Sequence, residues 1–288
     1  MATAAQDVPT LLASPHPRLR RRWTRNVSLL LGATLLGTLV FCALAAPLLS
    51  PYDPIAQDLG NRLASPSPSH LLGTDHLGRD VFTRLLYAAR IDLQVGFLGI
   101  ITPFVVGTVL GAIAGYYGGL LDTAITGLTS LVMAFPYYVL IISLVFVFGR
   151  GTQGIYVAVA LVVWVSYARI VRGEVATARQ QDYVLAARAA GFSDLRILGR
   201  HILPNAITQA VVYAMSDIVV IIVGIVTLSY LGLGVPPPTP DWGTMIDDGQ
   251  AFITTHPHLS TIPGLVVVLT GLALSLLGDG LAEQLKPE

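Results

Sequence analysis

Six runs of mostly apolar residues, at 27–49, 93–115, 123–148, 151–168, 206–232 and 259–278, constrain this chain more than any other feature. A helix needs about twenty such residues to cross the hydrocarbon core of a bilayer, where every backbone N–H and C=O must be satisfied within its own segment. Runs of this length therefore fold as spanning helices. Composition agrees, because 53% hydrophobic and 12% charged residues in a chain of 288 leave too few charges to cover a soluble globule. The expected fold class is an all-α polytopic membrane protein with six transmembrane helices.

The layout of charge sets an expected orientation. Arg18, Arg20, Arg21, Arg22 and Arg25 precede the first run, and Arg169, Arg172, Arg179, Arg188, Arg196 and Arg200 crowd the stretch after the fourth. The excess of Arg in cytoplasmic segments puts both inside, and an even number of spans returns Glu283 and Lys286 to the same side. The chain then divides into a cytoplasmic tail (1–26), a first transmembrane helix (27–49), an extracytoplasmic loop (50–92) and a core of five further spans (93–288) carrying the polar loop 169–205. Ala43-Leu44-Ala45 imitates a signal-peptide cleavage site, but the run is longer than the usual signal core and reads as a retained helix. Cys42, the only cysteine, lies in that run and has no disulfide partner within the chain. In the loop 50–92, the residues after Asp80 set Val81, Leu85 and Ala89 on one face with Phe82 and Leu86 beside it, the pattern of an interfacial amphipathic helix. Pro236-Pro237-Pro238 stiffens the approach to a second external segment that contains Trp242.

Within the spans, Gly107, Gly111 and Gly115 fall on one helical face, as do Gly264, Gly271 and Gly278 at seven-residue spacing; both are expected helix-packing faces. Pro103 and Pro136 each remove a helix hydrogen bond and predict kinks. Asp217 is the charged residue within the fifth run. A carboxylate at that depth must face a partner or water, which makes it a candidate intramembrane polar site, with a purely structural pairing as the equal alternative.

The loop 169–205 carries its own pattern. Residues 183–191 form an Ala-rich helix closed by Gly191, Ser193 is placed to cap a second short helix, and Pro204 suits the first turn of the following span. Two small helices on a basic loop make a knob for another protein, although composition alone equally fits a connector resting on lipid headgroups. The order of residues, Ala186-Ala187, then Gly191, then Leu203-Pro204, resembles the motif of the membrane subunits of ATP-binding-cassette importers. Leu185 stands where the general motif has Glu, and His201 where it has Ile. With Tyr183 before it and Arg200-His201-Ile202-Leu203-Pro204-Asn205 after it, the wording is similar to the dipeptide, oligopeptide and nickel branch, and to the second permease of the pair. Gly73-Thr74-Asp75 with Gly78-Arg79-Asp80, Leu228-Ser229-Tyr230-Leu231-Gly232-Leu233-Gly234 with Asp241-Trp242-Gly243, and Gly278-Asp279-Gly280-Leu281 extend the resemblance over nearly everything after residue 26.

The resemblance implies a type I importer permease fold and a homologous permease partner whose interface with this chain is the translocation path. It also implies two cytoplasmic ATPase subunits that use ATP and Mg, and an extracytoplasmic solute-binding protein. It carries contact with the ATPase onto Tyr183, Ala186, Ala187, Arg188, Gly191, Leu203 and Pro204. The expected location is the bacterial inner membrane, and no nucleic-acid partner is expected. The chain binds no cofactor and no metal on this reading, and no catalytic residue is assigned. Its one lysine is Lys286, so the Gly-x-x-x-x-Gly-Lys loop of a conventional ATPase is missing, and any energy arrives through another chain. His70, His76, His256 and His258 lack the spacing of a zinc site. Peptides are the expected cargo, with nickel or another small solute as the alternative. An ion-gradient-driven secondary transporter is the reading of a different class, and Asp217 would be the start of its relay.

Overall fold

The computed structural model describes residues 27–285. The basic tail at 1–26, with the arginines that set the expected orientation, and Lys286 lie outside the described residues. In chain order, α1 is Val27–Leu44 and α2 the single turn Ala46–Leu49; an irregular loop follows and leads to α3 (Val81–Gly99) and α4 (Ile101–Tyr117). Next come α5 (Gly119–Met133), α6 (Tyr137–Phe148), α7 (Thr152–Val162) and α8 (Trp164–Ala178), then two short helices, α9 (Asp182–Ala189) and α10 (Asp194–Ile197). The chain closes with α11 (Leu203–Tyr230), α12 (Trp242–Gln250) and α13 (His258–Leu285). Among the described residues, five stretches are long and apolar enough to cross a membrane: Val27–Leu44, Val81–Tyr117, Thr152–Ala178, Asp194–Tyr230 and His258–Gln284. Helices α5 and α6 qualify together as a sixth, bent by 89°.

Pro136 breaks its span as expected, whereas Pro103 coincides with only a one-residue interruption in a continuing helical stretch. Pro136 stands at the start of α6 with φ −58° and ψ 126°, and having no N–H it cannot continue the helix from α5. Pro103 cannot donate to the carbonyl of Gly99, and the helix is interrupted at Ile100, between α3 and α4.

Two expected boundaries move. The span expected at 93–115 is the second half of one helical stretch, Val81–Tyr117, so no separate interfacial helix lies ahead of it. Val81, Leu86 and Ala89 are buried, and the buried charges Arg84 and Asp92 have partners elsewhere in the chain, which lets this polar segment enter the bundle. The fourth span runs on to Ala178 and takes Arg169 and Arg172 out of the expected loop and into α8.

Helices α4 and α8 pack most closely. A Cβ on Gly107 would stand 2.3 Å from the carbonyl oxygen of Trp164, one on Gly111 2.4 Å from that of Ala168, and one on Gly115 2.6 Å from that of Arg172. Glycines four apart thus meet carbonyls four apart, and the backbones touch where lipid offers no hydrophobic drive. The second glycine face is different. Gly264 meets nothing within 4 Å, but Gly271 and Gly278 face α11, at 3.5 Å from Val219 and 3.2 Å from Met215, and α13 comes closer still to α1, at Gly280 against Leu29 and at Gly32 against Leu277. Cys42 is half-buried in α1.

Candidate functional site

The polar knob is built from the end of α8 onward. Helix α8 stops at Ala178, and Arg179 folds back to donate to the carbonyl of Tyr116 at 2.8 Å. Gln181 is extended and starts α9, whose last turn closes as a Schellman pair: Phe192 N–H to Ala187 C=O at 3.2 Å and Gly191 N–H to Arg188 C=O at 3.0 Å. Gly191 makes this possible by taking φ +80°, a conformation that costs other residues energy. Ser193 stands at the N-cap of α10 but its hydroxyl makes no capping bond. A π-turn at Leu198–Ile202 then joins α10 to α11, with Pro204 in the first turn.

Side chains sort by face. Val184 (0% exposed) and Ala187 (8%) turn into the protein, whereas Tyr183 (43%), Ala186, Arg188 and Gly191 face outward. Of the expected contact residues, Ala187 is therefore covered by its own chain, Leu203 is half-buried, and Pro204 is exposed beside the knob. The outward face also carries residues that the sequence pattern did not single out. Leu185, Phe192 and Leu195 are exposed, and Arg196 lies over the Phe192 ring at 5.5 Å. Three exposed apolar side chains among cations are the composition of a surface awaiting a partner.

A side-chain hydrogen bond also ties the knob to the end of α4. Tyr116, at the end of α4, donates its hydroxyl to Asp194 at 2.6 Å, and Arg188 of α9 reaches the same hydroxyl at 3.5 Å. Neither Tyr116 nor Asp194 carried a signal in sequence, since their pairing spans 78 positions.

Asp217 lies apart from the knob, fourteen residues, or roughly 21 Å, along α11 from Leu203. It is buried and accepts a hydrogen bond from the Tyr167 hydroxyl of α8 at 2.9 Å, in a shell formed by Phe104 and Tyr213 at ring-centroid distances of 5.4 Å from Tyr167. Its partner is in its own chain.

At the other end, motifs far apart in sequence converge. Arg79 binds Asp75 at 2.6 Å and Asp248 of α12 at 2.9 Å, with Arg84 alongside both carboxylates at 3.5 and 3.7 Å. Asp92 accepts the Trp242 N–H at 2.9 Å, and Asp241 caps α12 through the N–H groups of Gly243 and Thr244 at 2.9 and 3.2 Å. Burial pushes the Asp241 carboxyl above the ordinary carboxylate range, against the pull of those hydrogen bonds. Asp75, His76 and Asp248 bring three ligand atoms within 4.8 Å of one another, but a cation there would meet two guanidiniums that already hold both carboxylates. The cluster is an ion-pair network.

Residues 107–288 match the family described as binding-protein-dependent transport system inner membrane component, and residues 14–66 match the N-terminal transmembrane domain of oligopeptide transport permease C. The dipeptide transport system permease protein DppC of Alkalihalophilus pseudofirmus is 36% identical over 96% of this chain and 90% of its own length. The glutathione transport system permease protein GsiD is 38% identical in Pectobacterium atrosepticum, over 96% of this chain and 92% of that protein. In Escherichia coli O157:H7 it is again 38% identical, over 97% and 93%. Among solved structures, a chain of the inward-facing MetNI methionine ABC transporter has the same fold, with a TM-score of 0.56 at 16% identity, covering 70% of this chain and 96% of that one. A helical bundle with a basic knob, matched by this family over more than half its length and by permeases over nearly all of it, belongs to the binding-protein-dependent inner-membrane transport components: the chain is a permease subunit of an ABC importer, and ATP is hydrolysed by separate subunits.

Proposed function

We propose that this chain is the second permease of a peptide importer, paired with a homologous permease and driven by two cytoplasmic ATPase subunits. An extracytoplasmic binding protein delivers cargo, and both chain termini lie in the cytoplasm with the α9 knob. The observation that carries the peptide reading is that relatives named for dipeptide and glutathione transport align with 96–97% of this chain, spans and loops alike. Glutathione and dipeptides share amide bonds and free carboxylates, so one class of cargo covers both.

The geometry supports a route for coupling. ATP and Mg are used by the partners, and their movement pulls on the outward face of α9, around Tyr183, Ala186, Arg188 and Gly191. Arg188 and Asp194 meet at the Tyr116 hydroxyl, so the pull reaches α4. Helix α4 is locked to α8 by three glycines, and α8 is tied to α11 by the Tyr167–Asp217 bond. On this reading these three helices move as one body with α5, which Asp122 ties to Arg172 of α8, and the 89° bend between α5 and α6 is where the bundle yields. ATP binding then biases a two-state equilibrium between outward and inward access.

The test is to purify the tagged chain in mild detergent from its host, identify its companions and reconstitute the complex in liposomes. A sister permease, two ATPase subunits and ATP hydrolysis stimulated by binding protein loaded with a peptide mixture are expected. An active chain with no ATPase companion overturns the proposal.

A further inference from the structure

Between α5 and α8 lies a cavity of about 570 Å³, lined by Thr126, Thr129, Ser130, Met133, Arg169 and Arg172 among others. Its volume is that of a site for a small molecule. The two arginines differ. Arg172 is clamped by Asp122 through two hydrogen bonds, one of them at 2.7 Å. Arg169 touches only a thioether, its Nη1 lying 3.1 Å from Met133 Sδ, and no carboxylate among the described residues pairs with it.

Position makes that unpaired cation informative. Ala168 lies against Gly111 and Arg172 against Gly115, so Arg169 leaves α8 one turn above Arg172, near the knob end of α4. The Arg169 side chain is exposed and reaches up α5 to Met133, so its guanidinium stands in the open mouth of the cavity. A guanidinium without a carboxylate partner in such a place faces water or a ligand rather than lipid. The span is also broken at this level, since Met133 and Ala134 border both the cavity and the 89° bend between α5 and α6. In secondary transporters, broken spans of this kind hold cargo.

The remaining groups select the cargo's chemistry. The Thr129 and Ser130 hydroxyls both donate to the carbonyl of Thr126 at 2.8 Å, which commits their protons and leaves their oxygens to accept. The cavity thus offers one strong cationic donor and, one turn away, two neutral acceptors. A carboxylate with an amide N–H beside it matches that pattern.

We propose that this cavity is a transit subsite in which Arg169 holds the C-terminal carboxylate of a peptide and the Thr129 and Ser130 oxygens receive its last amide N–H. The assignment rests on the peptide reading above and adds to it a location and a required chemical group.

The experiment uses the assembled importer, nucleotide-free in detergent, with Met133→Cys as a reporter in a Cys42→Ala background. Labelling by a maleimide is timed with alanyl-alanine, with its C-terminal amide, or with neither. Alanyl-alanine is expected to slow labelling several-fold, and the amide to leave it unchanged. Arg169→Gln should abolish the protection, with Arg169→Lys retaining part of it. In liposomes Arg169→Gln should lower dialanine turnover about tenfold, the loss expected for one charge-assisted bond, while ATP hydrolysis stimulated by loaded binding protein persists. Equal labelling with either ligand, in a complex that transports dialanine, overturns the subsite and leaves the peptide reading standing. A complex that takes up another solute and no peptide overturns both. If Arg169→Gln fails to assemble, the comparison of dipeptide with amide in the Arg169 background still decides.

Discussion

Gly191 holds φ +80° with no atom within 4 Å of where a Cβ would stand, so a side chain there meets backbone strain and no clash. Gly191→Leu carries a cost of about 1–2 kcal/mol, which is relieved by moving Phe192 and opening the closure of α9. Membrane insertion should be unchanged, while copurified ATPase and uptake both fall. Gly191→Asn should be milder, because Asn tolerates the left-handed region; normal uptake in the Leu variant would remove the knob from the mechanism. Asp217 invites the opposite expectation. Its visible role is to accept the Tyr167 hydroxyl, and an amide oxygen accepts as well, so Asp217→Asn should assemble and transport nearly as the parent does. Asp217→Leu strands the buried hydroxyl and should cost about 1–3 kcal/mol in unfolding of the solubilised chain. Loss of uptake in a well-assembled Asn variant would instead show that the charge itself works.

At the scale of elements, the α4–α8 pair and the outer face of α13 make a matched comparison. Gly111→Ala places a methyl 2.4 Å from the Ala168 carbonyl oxygen, and forcing the helices apart should cost about 1–3 kcal/mol; Gly264→Ala meets nothing and should be neutral or slightly stabilising. Resistance to SDS-induced unfolding separates the two. This contrast also marks how far sequence carries. Glycines four apart announced a real contact in α4 because the spacing specifies a continuous stripe on one face. The seven-residue series in α13 is met by α11 at Gly271 and Gly278 but by nothing at Gly264, because a stripe does not say how far along it a neighbour lies. Nor could residues 81–92 be placed from their pattern. Their amphipathic face belongs equally to a helix on a membrane surface and to one buried with its charges paired, and the partners Asp248 and Trp242 lie some 150 positions or more away. The knob was the most legible part, since Ala content, Gly191 and Pro204 act locally, whereas its tether at Tyr116 was invisible.

For the whole molecule, the end opposite the knob is governed by carboxylates held away from water. Asp241 is fully buried with its carboxyl raised, so the folded state keeps its proton more tightly than the unfolded chain. The sign follows: its contribution to stability is full below the ordinary value of 3.8 and is lost as pH rises through the raised one. The parent should therefore lose thermal stability over that rise more steeply than Asp241→Asn, which still caps α12 but does not titrate; parallel curves would contradict the assignment.

The contact of α1 with α13 has a consequence for how the protein is made. Leu29 and Gly32 settle against Gly280 and Leu277, so among the described residues the first helix made docks on the last. Until synthesis ends, α1 must wait in the bilayer beside strangers, sparsely covered and recognisable to quality control. A chain cut short anywhere before α13 would betray itself by that unclaimed helix.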